Sequence, residues 1–151
     1  STIRENIFRG RGDVSEAEID RILEAANCRS LVAQLPEGLD TILTEGGGSI
    51  SSGERQLLSI ARALAHDPQL ILFDEATSYI DTQTEIKIQE AMARLLKNRT
   101  ALIVAHRLST VRNADSILVL NRGEIIESGT HEALMRHRGF YFKLYQLQNA
   151  L

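Results

Sequence analysis

Two short runs of unbroken apolar character, Leu70-Ile71-Leu72-Phe73 and Thr100 to Val104, constrain this chain more than any other feature. A strand with one wet face alternates apolar and polar residues. A run that does not alternate is expected to be a central strand buried on both faces, as in parallel sheets. Between the two runs, Ile88, Ala91, Met92, Leu95 and Leu96 recur at helical spacing behind Asp81 or Thr82, either of which can cap a helix. Strand, helix and strand in that order predict an α/β fold with a largely parallel sheet flanked by helices.

The flanking segments fill in the order of elements. Ser15 and Glu18 have capping-box spacing, and Ile19, Ile22, Leu23 and Ala26 follow on one face, predicting a helix over about 15–27. A short apolar cluster from Leu31 to Leu35 ends at Pro36, with a loop at Gly38. After Gly46-Gly47-Gly48, Ser51 opens a helix with Leu57, Leu58, Ile60, Ala61 and Leu64 inward, stopped by Asp67-Pro68. Ile117 to Leu120 and Glu124 to Glu127 flank Asn121-Arg122-Gly123, a hairpin pattern. The tail from Thr130 to about Leu147 reads as helix broken at Gly139. Its apolar residues, Phe140, Tyr141, Phe142, Leu144, Tyr145 and Leu147, are expected to pack on the core.

Composition narrows the function classes. With 151 residues, 43% hydrophobic and 25% charged, the chain can bury one ordinary core. A formal net charge of −3 gives no reason to expect nucleic acid. Apolar runs fall far short of the ~18 residues that a membrane span needs. Cys28 is the single cysteine, which fits a reducing compartment and a buried small residue. Ser1 opens in mid-pattern and without methionine, so an excised or truncated piece is expected.

Candidate chemistry collects where the two apolar runs end, because open parallel sheets bind ligands beyond the carboxyl ends of their strands. Asp74 and Glu75 close the first run and His106 follows the second. Asp74 offers a hard oxygen ligand suited to Mg²⁺ through water. Glu75 can orient and deprotonate an attacking water, and His106 can donate a hydrogen bond to a phosphate. Ser51-Ser52-Gly53-Glu54 opens a helix behind a glycine run, and a helix N-terminus attracts phosphate. There Gly53 permits close backbone approach. Read singly, a strand-end acid pair is as often a surface cap as a catalyst, and a serine before a helix is usually only a cap.

Taken together, these segments resemble the ATP-binding cassette (ABC) ATPase family. Residues 45–56, Glu-Gly-Gly-Gly-Ser-Ile-Ser-Ser-Gly-Glu-Arg-Gln, resemble its signature motif and glycine-rich lead-in. Residues 70–78 resemble the Walker B strand, 78–81 the D-loop, and 103–108 the switch-histidine loop. Thr2 to Ile7 and Gly129-Thr130-His131-Glu132 are similar to exporter-type cassettes. The resemblance implies a P-loop NTPase-like domain, incomplete here. Residues 1–45 would be part of a small helical subdomain, 46–129 the ATPase core and 130–151 a helical tail.

It further implies ATP and Mg²⁺ as ligands, with Asp74 serving the metal, Glu75 the attacking water and His106 the γ-phosphate. Ser51, Ser52, Gly53 and Glu54 would meet the ATP held by a second cassette packed head to tail, and Asp81 would communicate across that dimer. A transmembrane domain would hold the assembly at the cytoplasmic face of the membrane.

Two departures matter. The family's Leu-Ser-Gly-Gly-Gln reads Ile50-Ser51-Ser52-Gly53-Glu54 here, so a carboxylate replaces a neutral amide. At ~7 Å from a phosphate charge that acid would cost ~2 kcal/mol at an effective dielectric of 20, unless it is screened or turned toward Arg55. With Asp74, Glu75 and His106 intact, one half of an asymmetric heterodimer is one expectation, and a homodimer with a variant signature is the other. The second departure is that no Gly-x-x-x-x-Gly-Lys-Ser/Thr loop occurs, so the segment alone is expected to be inactive and prone to associate. Two alternatives stay open: an ABC-type ATPase of DNA maintenance, and a non-catalytic module that kept the fold.

Overall fold

The computed structural model describes residues 1–43, 50–74, 80–105 and 108–149. The chain forms two compact units, Ser1–Leu72 with Ala76–Leu102, and Phe73–Glu75 with Ile103–Leu151.

The first unit opens with helix α1 (Ile3–Phe8), too short for periodicity to reveal. A reciprocal capping box starts it: Glu5 N–H donates to Thr2 Oγ1 at 3.1 Å, and Thr2 N–H to Glu5 Oε2 at 3.0 Å. Helix α2 (Glu16–Ala25) begins at Ser15 as expected, but the box there is half made. The Ser15 hydroxyl accepts from Glu18 N–H, while the Glu18 carboxylate pairs with Arg11 at 2.9 Å. Helix α3 (Arg29–Gln34) and a 3-10 turn (Gly38–Asp40) follow.

Helix α4 (Ser52–His66) is the hub on which α1, α2 and α5 (Thr82–Leu96) pack. Its apolar face buries Leu57, Leu58, Ile60 and Ala61, and Asp67 ends it in a left-handed conformation at φ 45°.

Strands β1 (Leu70–Asp74) and β2 (Thr100–Val104) are hydrogen-bonded neighbours joined through α5. Thr100 N–H donates to Gln69 O at 3.1 Å, so the two strands start side by side and run parallel. The expected α/β arrangement is present. Burial on both faces is not. Ile71 is 7% exposed, whereas Leu72 is 73% and Leu102 56% exposed. A strand is covered twice only where a layer lies over each face, and among the described residues one face here stays open.

In the second unit, a short helix α6 (Leu108–Val111) precedes the antiparallel hairpin of β3 (Ile117–Asn121) and β4 (Glu124–Gly129). Arg122 and Gly123 both have positive φ, 51° and 85°, as a two-residue type I′ turn requires. Ile117, Val119, Leu134 and Tyr141 form the core of this unit. Helix α7 (His131–His137) is capped by Thr130 and ends at Arg138, and α8 (Phe140–Asn149) follows Gly139. Of the six residues of α8 expected to pack on the core, Tyr141 is fully buried, Phe142 and Tyr145 are half-buried, and Phe140, Leu144 and Leu147 are exposed.

Glu127 of β4 acts as a remote cap for α8. Its carboxylate accepts from Phe140 N–H at 2.6 Å and Tyr141 N–H at 2.9 Å. Those bonds, the Tyr141 one foremost, hold its pKa below the usual carboxylate range. Among the described residues no helix is long and apolar enough to cross a membrane.

Candidate nucleotide-contact site

The best-defined part of the site is the start of α4. Ser51 is exposed and caps the helix through a second reciprocal box. Glu54 N–H donates to Ser51 Oγ at 3.2 Å, and Ser51 N–H donates to Glu54 Oε2 at 2.7 Å. Glu54 is therefore turned back to the cap and not toward Arg55, whose guanidinium donates instead to Ile50 O at 2.7 Å. A hydroxyl that accepts one bond still has its own proton to give. Ser51 O–H, with the first-turn N–H groups of Ser52 and Gly53, which have no partner within their own helix, makes a cluster of donors at the positive end of a helix. That is suited to a phosphate oxygen, with the Glu54 carboxylate as a built-in opposing charge.

Gly53 meets a second demand that its sequence context did not reveal. It is buried, and a Cβ on it would lie 2.5 Å from Thr84 Cγ2 and 3.0 Å from Ile80 Cγ2. The missing side chain lets α4 and α5 close on each other. Asp81, the other predicted site residue of this unit, caps α5 by accepting from Thr84 N–H at 3.0 Å. Its carboxyl is held below the usual range by the Thr84 hydroxyl first and that N–H second.

Asp74 is exposed at the carboxyl end of β1, and β2 ends at Val104 on the same edge, since the strands run parallel. This position suits magnesium, which typically takes one or two carboxylates and completes its shell with phosphates and water. Glu75 and His106, the predicted catalytic pair, lie outside the described residues, as does the glycine run before Ser49. A groove of about 730 Å³ beside α1 is lined in part by Arg4, Arg9, Arg11 and Arg62, with none of the predicted site residues. Its charges are largely consumed internally: Arg4 pairs with Glu16 and Asp40, and Arg11 binds Glu18 and Ala65 O.

A parallel β–α–β unit with a carboxylate at a strand end is a feature of α/β phosphate-binding domains, and so, taken by itself, is a serine-capped helix start with backbone donors. Known proteins agree and are more specific. Residues 1–78 match the family model described as ABC transporter. An uncharacterized ABC transporter ATP-binding protein of Bacillus subtilis is 54% identical over 97% of the chain, which spans 24% of that relative. An ATP-dependent lipid A-core flippase of Syntrophus aciditrophicus is 52% identical over the same shares. A bacterial Atm1-family ABC exporter, solved with ATP bound, superposes with a TM-score of 0.83 at 42% identity, covering 97% of this chain and 26% of that one. The chain belongs to the ABC transporter family. It spans about a quarter of the length of the curated relatives it matches.

Proposed function

We propose that this chain is part of the ATP-binding and hydrolysing domain of an ABC exporter, coupling ATP hydrolysis to transport across a membrane. The observation that carries the reading is the start of α4, where the exposed Ser51 hydroxyl accepts from Glu54 N–H and so has a proton to donate beside the first-turn backbone N–H groups of a helix. Family membership makes ATP the phosphate ligand. On this reading Ser51, Ser52 and Gly53 contact ATP bound to a second cassette, with Glu54 at its edge and Asp81 at the dimer contact. Asp74 serves Mg²⁺, which when bound would neutralise phosphate charge. Glu75 orients and deprotonates the attacking water, and His106 donates to the γ-phosphate. Residues 1–45 belong to the helical subdomain, 46–129 to the catalytic core and 130–151 to the tail. The partners are a second cassette and a transmembrane domain, and the site faces the cytoplasm.

The test uses the intact protein, reconstituted in a membrane. Glu75→Gln should retain ATP binding while lowering hydrolysis by about 10²-fold or more, the worth of a general base. Hydrolysis at the parental rate would reject the assignment.

A further inference from the structure

We propose that Thr84 is a positioning residue that locks the N-terminus of α4 to that of α5, so that Ser51 and Asp81 move as one body. The proposal rests on the reading of the α4 end as a contact for ATP, and it names the residue that sets that contact's geometry.

Thr84 is engaged through both its side chain and its backbone. Its γ-methyl lies against the bare Cα of Gly53, at 2.5 Å from where a Cβ would stand. Real Cβ atoms essentially never approach a neighbour that closely. Its backbone N–H donates to Asp81 Oδ1 at 3.0 Å. The Asp81 carboxyl is held below the usual range, the Thr84 side chain being the first cause and this N–H the second. Ile80, next to Asp81, closes the other side, with its Cγ2 3.0 Å from the same point on Gly53.

Gly53 in turn lies inside the turn closed by the Ser51–Glu54 box. A shift of Thr84 is therefore passed to Ser51 through a turn that is hydrogen-bonded at both ends. The residue read as gripping one nucleotide and the residue read as signalling across the dimer cannot be displaced separately. No longer-range coupling is needed for this; the two helix ends touch.

The experiment is a size swap in the intact protein, following kcat, KM for ATP and the melting temperature. Gly53→Ala overpacks this contact, so the melting temperature should fall, and kcat should fall about tenfold as the α4 end is displaced. Adding Thr84→Ser removes the γ-methyl and should return about threefold or more of that loss, as directly coupled neighbours do. Thr84→Val keeps the shape but loses the hydroxyl. It should lower kcat with KM held, alongside a small fall in melting temperature; a purely structural residue would lower the melting temperature and leave kcat unchanged. If Gly53→Ala does not lower kcat, or Thr84→Ser restores nothing, the added methyl is not acting through Thr84 and the proposal falls. Should Gly53→Ala fail to fold, parental kcat in both Thr84→Val and Thr84→Ser overturns it equally. Ser51→Ala separates the two ideas. Unchanged kcat in that variant rejects the role of the α4 end in ATP contact, while rescue of melting temperature by the size swap would still report the Gly53–Thr84 lock.

Discussion

Glu54→Gln removes a single charge and leaves the local hydrogen bonding intact, which makes its consequences calculable. The Glu54 carboxylate sits 2.7 Å from Ser51 N, and a glutamine oxygen can take the same N–H, so the capping box survives. A phosphate oxygen accepting from Ser51 O–H would lie ~6 Å from the carboxylate, given ordinary hydrogen-bond lengths on each side. At that distance a like-charge pair costs ~0.7 kcal/mol at the dielectric of water and ~3 kcal/mol at 20. Glu54 is half-buried, so its environment lies between these limits, and we take ~1 kcal/mol, about fivefold in apparent ATP affinity.

Stability should move the other way. The lost acid no longer complements the helix dipole, a term of ~0.3–1 kcal/mol. The assay is ATPase rate against ATP concentration in the intact protein, at low and high salt, with thermal unfolding alongside. Tighter ATP, a lower melting temperature, and an affinity gain that shrinks as the Debye length falls from ~10 Å at 0.1 M toward ~3 Å at 1 M are expected together. Weaker ATP binding, or a gain indifferent to salt, would refute the electrostatic argument.

Three further outcomes follow from the geometry. Gly139→Ala would place a Cβ 1.8 Å from Glu127 Oε1, pushing the carboxylate off the Phe140 and Tyr141 N–H groups. A loss of about 1–2 kcal/mol, the range of a helix cap, should appear in chemical denaturation, and parental stability would count against the clamp. Asp81 and Glu127 both have lowered carboxyl pKa values in the folded chain. Their contribution to stability is complete above the ordinary carboxylate range near pH 4 and is lost as pH falls through the lowered values. A denaturation series between about pH 5 and 2 should therefore slope downward with acid, and less steeply in Asp81→Asn. Burial pushes the Cys28 thiol up to about 12, so at pH 8 it should resist alkylation while folded and react on unfolding; rapid labelling of native protein would contradict its position.

Local physics made much of this molecule readable from its residues. Ser51, Asp81 and Thr130 each stand where their side chains can take the N–H three residues on, so three helix starts were legible. Arg122-Gly123 between two apolar runs was enough for the hairpin. Helix α1 escaped notice because six residues hold less than two turns, too few for a period to show.

What tertiary structure alone decided depends on partners far apart in sequence. The open face of β1 and β2 could not be read from their composition, because an apolar residue carries no record of whether a layer will lie over it. Gly53 looked like a residue bared for a ligand, and it is also bared for Thr84, thirty-one positions later. Residue type and spacing govern interactions within one turn of chain. Contacts between elements are set by which faces packing brings together, and that depends on the whole fold.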